Sequence, residues 1–144
     1  MGNFLANPIT EKNTLSGEEN GIKYGYSEMQ GWRASMEDAH SAYVPLEGFP
    51  EYSVFAVYDG HGGSLVAKKA EGMIVNAIQS KLKAFSSSTI SPEKLGELLT
   101  EVFLEVDEEI RRIPEISSGE DHSGCTAVLA LVTATHIIVA NSGT

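Results

Sequence analysis

Two short stretches concentrate the residues that could do chemistry. In Arg33-Ala34-Ser35-Met36-Glu37-Asp38-Ala39-His40, adjacent carboxylates stand just before a strand-like passage. At such a junction one carboxylate can point inward while the other turns out. In Val57-Tyr58-Asp59-Gly60-His61-Gly62-Gly63, an apolar strand ends in a carboxylate, and three glycines let the backbone approach a ligand closely. An ionised Asp at the end of a buried strand is costly unless something compensates it, and a divalent cation is the natural compensation. Oxygen-rich donor sets favour magnesium or manganese over zinc. Taken singly, each stretch also has a plain structural use. Glu37 and Asp38 could be surface partners of Arg33, and Asp59-Gly60 could be a turn. A dinucleotide loop fails on spacing, because Leu65 stands where the third glycine belongs and no acidic residue lies near position 80. His40, His122 and His136 show no metal-ligand spacing with His61 and carry no assignment.

The elements around these stretches are readable. Residues 1–20 are largely polar and read as an N-terminal arm, with residues 21–144 forming the folded domain. Ile22 to Tyr26, Ala39 to Val44 and Tyr52 to Tyr58 read as strands, the last rich in β-branched and aromatic residues. Beyond the glycines, Val66, Ala70, Met73, Ile74, Ala77, Ile78, Leu82 and Phe85 fall on one helical face, and Ser86-Ser87-Ser88 breaks the helix. A second helix starts at Pro92 with Ser91 as its cap, and Pro114 halts it. Glu93, Glu97, Glu101, Glu105 and Glu109 recur along that helix opposite its apolar face, so they read as a solvated surface without chemistry. Thr126 to Val132 and His136 to Ala140 read as a hairpin.

Three blocks then act together: Gly31-Trp32-Arg33 with Met36-Glu37-Asp38-Ala39-His40, Val57 to Gly63, and Ser123-Gly124-Cys125-Thr126-Ala127. In order and separation they resemble the metal-dependent (type 2C) protein serine/threonine phosphatases. Met1-Gly2-Asn3-Phe4-Leu5 and Tyr24-Gly25 look most like the alpha/beta-type members of animals. The resemblance implies an α+β fold, a four-layer α-β-β-α sandwich of antiparallel sheets flanked by helices, of which this chain would supply half. It implies hydrolysis of phosphoserine and phosphothreonine in phosphoproteins by metal-activated water, with no phosphoenzyme. Two Mg2+ or Mn2+ ions would serve each complete site. By the same resemblance Asp59 would bridge the two ions, Glu37 would ligate one, and the Gly60 carbonyl would add an oxygen. Asp38 would orient ligated water, and Thr126 would support the metal site from the next strand. Arg33 would grip the phosphoryl group, and His61 would protonate the departing Ser or Thr oxygen. Cys125 is not needed as a nucleophile.

The same family pattern departs from this sequence after Asn141. It continues from Asn-x-Gly into Asp-Ser-Arg, whereas Thr144 stands where an acidic residue is expected, and the later Asp-Gly and Asp-Asn motifs do not occur. The family's domain runs to about 250 residues, in keeping with the usual ceiling on a single core. The sequence therefore reads as the N-terminal half of a phosphatase. Two functions follow as expectations: a metal-dependent phosphatase by family, or a catalytically inactive truncated remnant acting as a binding module.

Composition narrows the partners. Ten Lys and Arg against 20 Asp and Glu give a formal net charge of −10 over 144 residues, which argues against a general nucleic-acid binder. The longest unbroken aliphatic stretch, Ala127 to Val132, is far too short to cross a bilayer. A lone cysteine excludes an internal disulfide framework and makes a reducing, cytoplasmic or nuclear location the expectation. Gly2 after Met1 permits N-myristoylation, although Ala6 stands where Ser or Thr is favoured. One such chain would give only weak, reversible membrane attachment. No motif speaks to oligomeric state.

Overall fold

The structure, a computed structural model, describes residues 4–85 and 89–143. The expectations for Gly2, for the break at 86–88 and for Thr144 lie outside these residues. The chain divides between Met36 and Glu37 into two compact units.

The N-terminal unit is built of strands. β1 (Phe4–Ile9) pairs antiparallel with β4 (Gly31–Arg33), and β2 (Asn13–Glu19) pairs with β3 (Ile22–Glu28). Asn20 and Gly21 join β2 to β3, with φ of 54° and 77°. Two consecutive positive φ values give the turn whose twist suits a hairpin, and Asn-Gly is the dipeptide that adopts it most readily. Across the hairpin, the Asn13 amide donates to Glu28 at 2.9 Å, and the Thr14 and Ser27 hydroxyls meet at 2.8 Å. Residues 4–19, expected as an arm, are therefore mostly strand. Their polar composition hid this because β2 is exposed on both faces apart from half-buried Gly17.

The second unit is a helix layer on an antiparallel sheet. β5 (Ala39–Tyr43), β6 (Ser53–Tyr58), β9 (Ala127–Val132) and β10 (Ile137–Ser142) form one sheet in the order β10-β9-β6-β5. Between them come β7 (Gly60–His61), α1 (Leu65–Lys83), α2 (Pro92–Arg111), α3 (Pro114–Ser117) and β8 (Gly124–Cys125). Val54, Ala56 and Tyr58 of β6 and Leu129 and Leu131 of β9 turn inward. They share one core with Ala70, Ile74, Ile78 and Leu82 of α1 and with Leu95, Leu99, Val102 and Val106 of α2. The alternate residues Val57, Val128, Ile137 and Val139 are exposed on the other face, as period-two alternation requires. The β9–β10 hairpin is as expected, paired from Val132–Ile137 to Ala127–Ser142.

α2 starts and stops for local reasons. The Ser91 hydroxyl accepts from the Lys94 N–H at 3.2 Å, and Pro92 fills the first turn of α2, where a missing N–H costs nothing. The helix ends at Arg111, short of Pro114, because the residue before a proline avoids the helical region; Ile113 is extended at ψ 130°. Pro114 then opens α3 rather than merely halting α2. The glutamate row on α2 is exposed as expected, with one addition. Lys81 of α1 reaches Glu101 at 3.1 Å and Glu105 at 2.8 Å, tying the two helices together.

Candidate functional site

The sheet's central strand ends in the candidate residues. On one side of β6, the β9 ladder runs to Val57 opposite Val128 and resumes in β7–β8 with Gly60 opposite Cys125 and His61 opposite Gly124. The Thr126 N–H donates to the Asp59 carbonyl at 2.9 Å and closes the gap between the two ladders. On the other side, β5 runs with Ala39 opposite Tyr58. The ladder ends there, and beyond it the Glu37 backbone lies against Gly60, the last close pair. Glycine is required at that last pair: a Cβ built on Gly60 would overlap the Glu37 carbonyl oxygen and sit 2.9 Å from its carbon. Backbone contact thus locks the two carboxylate-bearing segments side by side.

Glu37 is half-buried, while Asp38 and Asp59 are exposed. The inward/outward split expected of the adjacent carboxylates is present. Burial of Asp59 is not: water already solvates its carboxylate, so the desolvation argument for a cation does not hold here. Among the described residues, no group of three or more His, Cys, Asp or Glu converges as a metal would need. The oxygen groups at hand are carboxylates and carbonyls, the donor chemistry that suits a hard divalent cation.

His61 is exposed, and its ring lies over Gly124, where an added Cβ would stand 2.6 Å from Nε2. Thr126 is half-buried beside Asp59. Cys125 is half-buried, and desolvation, followed by the Asp59 charge, pushes its thiol up from its ordinary value. A raised thiol is a poor nucleophile, in line with the expectation that Cys125 takes no covalent part. Behind β8, a cavity of about 300 Å3 is lined by His61, Val66, Phe103, Ile110, Ser123 and Cys125, among others. Arg33 belongs to the N-terminal unit; it is exposed, pairs with Phe4, and its carbonyl accepts from the Gln30 amide at 2.9 Å.

One group near the site was not singled out from the sequence. The Asp121 carboxylate accepts from the Ser123 N–H at 2.8 Å and from the Ser123 hydroxyl at 2.5 Å. The same hydroxyl accepts from the Val66 N–H at 3.2 Å, in the first turn of α1. Those hydrogen bonds hold the Asp121 carboxyl below the usual range. The signal was the Asp-x-Ser spacing ahead of Gly124, a local turn pattern whose partner on α1 is far away in the chain.

Comparison with known proteins agrees with this arrangement. The family model described as "Protein phosphatase 2C" matches residues 22–144. Human "Protein phosphatase 1A" is 42% identical over 146 residues, covering 99% of this chain and 38% of the relative. Human "Protein phosphatase 1B" is 40% identical over 150 residues, covering 99% of this chain and 31% of the relative. The chain thus spans about a third of the length of these curated relatives. The solved serine-threonine phosphatase 2C of Toxoplasma gondii superposes with a TM-score of 0.67 at 16% identity, over 97% of this chain and 46% of that one. A bacterial serine phosphatase superposes at 0.57 and 17% identity, over 92% of this chain and 47% of its own. Those two likenesses concern the fold, an α+β arrangement of antiparallel sheets and helices. The match over residues 22–144 takes in the Glu37–Asp38, Asp59–His61 and Ser123–Thr126 segments together, and by it the chain belongs to the protein phosphatase 2C family.

Proposed function

We propose that this chain contributes the Asp59 edge of a metal-dependent active site that hydrolyses phosphoserine and phosphothreonine in proteins. The observation that carries the reading is the close Gly60–Glu37 backbone contact, which holds the segments bearing Glu37 and Asp59 side by side. When bound, Mg2+ or Mn2+ would lower the pKa of water and neutralise phosphoryl oxygens. Asp59, Glu37 and the Gly60 carbonyl would hold it. Thr126 steadies Asp59 through its N–H. Arg33 would grip the phosphoryl group through its planar donor fork. His61 would hold the proton that the departing Ser or Thr oxygen takes up. The substrates on this reading are intracellular phosphoproteins, met in the cytoplasm or nucleus, with Gly2 acylation as an optional weak tether.

A second reading is a binding module without turnover. It is favoured by the described residues, which gather no group of three metal-binding side chains. Hydrolysis of a phosphothreonine peptide by the purified chain in millimolar Mn2+ separates the two. Chelator-sensitive turnover that disappears in Asp59→Asn supports the first. Phosphopeptide binding that depends on Mn2+ and Asp59, without phosphate release, supports the second. Indifference of both to Asp59→Asn contradicts the assignment of Asp59.

A further inference from the structure

We propose that Ser123, held by Asp121, is a positioning residue for His61; the proposal rests on the reading of His61 as the proton donor. Ser64 occupies the N-cap of α1 but makes no side-chain cap bond. The cap comes instead from outside the helix, through the Ser123 hydroxyl on the Val66 N–H. That hydroxyl donates to Asp121 while it accepts from Val66, so its donor and its acceptor are both used in one fixed orientation. The carboxylate behind it also lies at the electropositive end of a 19-residue helix, where negative charge is favoured.

This bridge closes a loop around His61. From His61 the chain runs through Gly62 and Gly63, at φ of 70° and 136°, into α1. Both glycines press on the segment that carries the bridge. A Cβ on Gly62 would stand 3.3 Å from the His122 carbonyl oxygen, and one on Gly63 would stand 3.2 Å from the Ser123 Cβ. From Ser123 the chain passes directly into Gly124, the residue under the His61 ring and its partner in the β7–β8 pair. His61 is therefore fixed from two sides, by its strand partner Gly124 and by the loop leading into α1, and Ser123 joins both. The hydrogen bonds of the Ser123 side chain go to Asp121 and Val66. Its effect on chemistry runs through where His61 can hold its ring.

The test is made on the isotopically labelled chain without metal or substrate, so its outcome is independent of whether the phosphatase reading stands. In Ser123→Ala, amide exchange at Val66 is expected to quicken about tenfold, the consequence of an uncapped first turn. The ring signals of His61 are expected to shift and broaden, while those of His40 and His136 stay in place. Ser123→Thr keeps the hydroxyl and restores both readouts. Asp121→Asn, nearly isosteric, moves the His61 signals the same way by a smaller amount and serves if Ser123→Ala does not fold. His61 signals that stay fixed while Val66 exchange quickens would reduce Ser123 to a helix cap and overturn the proposal. Unchanged Val66 exchange would overturn it too, since the bridge would then not exist in solution. The phosphatase reading fails separately, if Asp59→Asn leaves Mn2+ binding intact.

Discussion

Gly60 lies directly under the Glu37 carbonyl, and no side chain fits between them. A single methyl at position 60 must push apart the two segments that bear Glu37 and Asp59. Gly60→Ala is therefore expected to cost about 1–3 kcal/mol of stability, the usual range for overpacking, and to weaken Mn2+ binding at least about tenfold. Denaturant midpoints and a Mn2+ titration of the folded variant check both. A variant with unchanged midpoint and affinity would mean that the contact is relaxed in solution.

Tyr58 gives an expectation of opposite sign. It is fully buried, and burial pushes its phenol up to about 12. Neither its hydroxyl nor that of Ser41 completes a hydrogen bond among the described residues. Removing the Tyr58 hydroxyl thus removes a buried polar group without a lost bond. Tyr58→Phe is expected to be neutral or stabilising by about 1 kcal/mol at neutral pH. A group whose folded pKa is raised stabilises fully below its unfolded pKa and loses that contribution above it. The wild type should accordingly lose about 1.4 kcal/mol per pH unit between its ordinary value of 10.0 and about 12, and the variant should lack that slope. Urea unfolding across this range measures it. A clear loss of stability in Tyr58→Phe at neutral pH would show that the hydroxyl is satisfied after all.

His61→Gln separates proton donation from other roles. On a phosphoserine peptide, whose alkoxide leaves poorly, turnover in Mn2+ is expected to fall about 100-fold or more. On an aryl phosphate, which leaves unaided, the loss should be small. Equal losses on both would place His61 in binding or positioning instead.

The sequence disclosed most of the second unit because its signals were periodic. Val54, Ala56 and Tyr58 alternate inward, and the apolar positions of α1 and α2 recur at helical spacing. The candidate residues were legible for another reason: they sit in short blocks whose order and separation resemble a known family, and that resemblance, not periodicity, singled them out. In the N-terminal unit β3 was read at Ile22 to Tyr26, while β1, β2 and β4 were missed; β2 has little apolar face to alternate and β4 is three residues long. The Asn20-Gly21 turn was the signal that could have found the β2–β3 hairpin. β7 and β8 are two residues each and have no period at all. The burial of Asp59 was misjudged because the alternation that turns Val54, Ala56, Tyr58 and Gly60 inward puts Asp59, with Val57 and His61, on the exposed side. The Asp121–Ser123–Val66 bridge joins residues 57 apart in sequence between Ser123 and Val66, which no local pattern encodes.

The most direct test of the proposed metal edge is paramagnetic broadening of the chain's amide signals by trace Mn2+. The ion should erase the signals of Glu37, Asp38, Asp59, Gly60 and Thr126 first, and Asp59→Asn should abolish that selectivity. Broadening that begins instead on the glutamate row of α2, or that is identical in wild type and Asp59→Asn, would contradict the account.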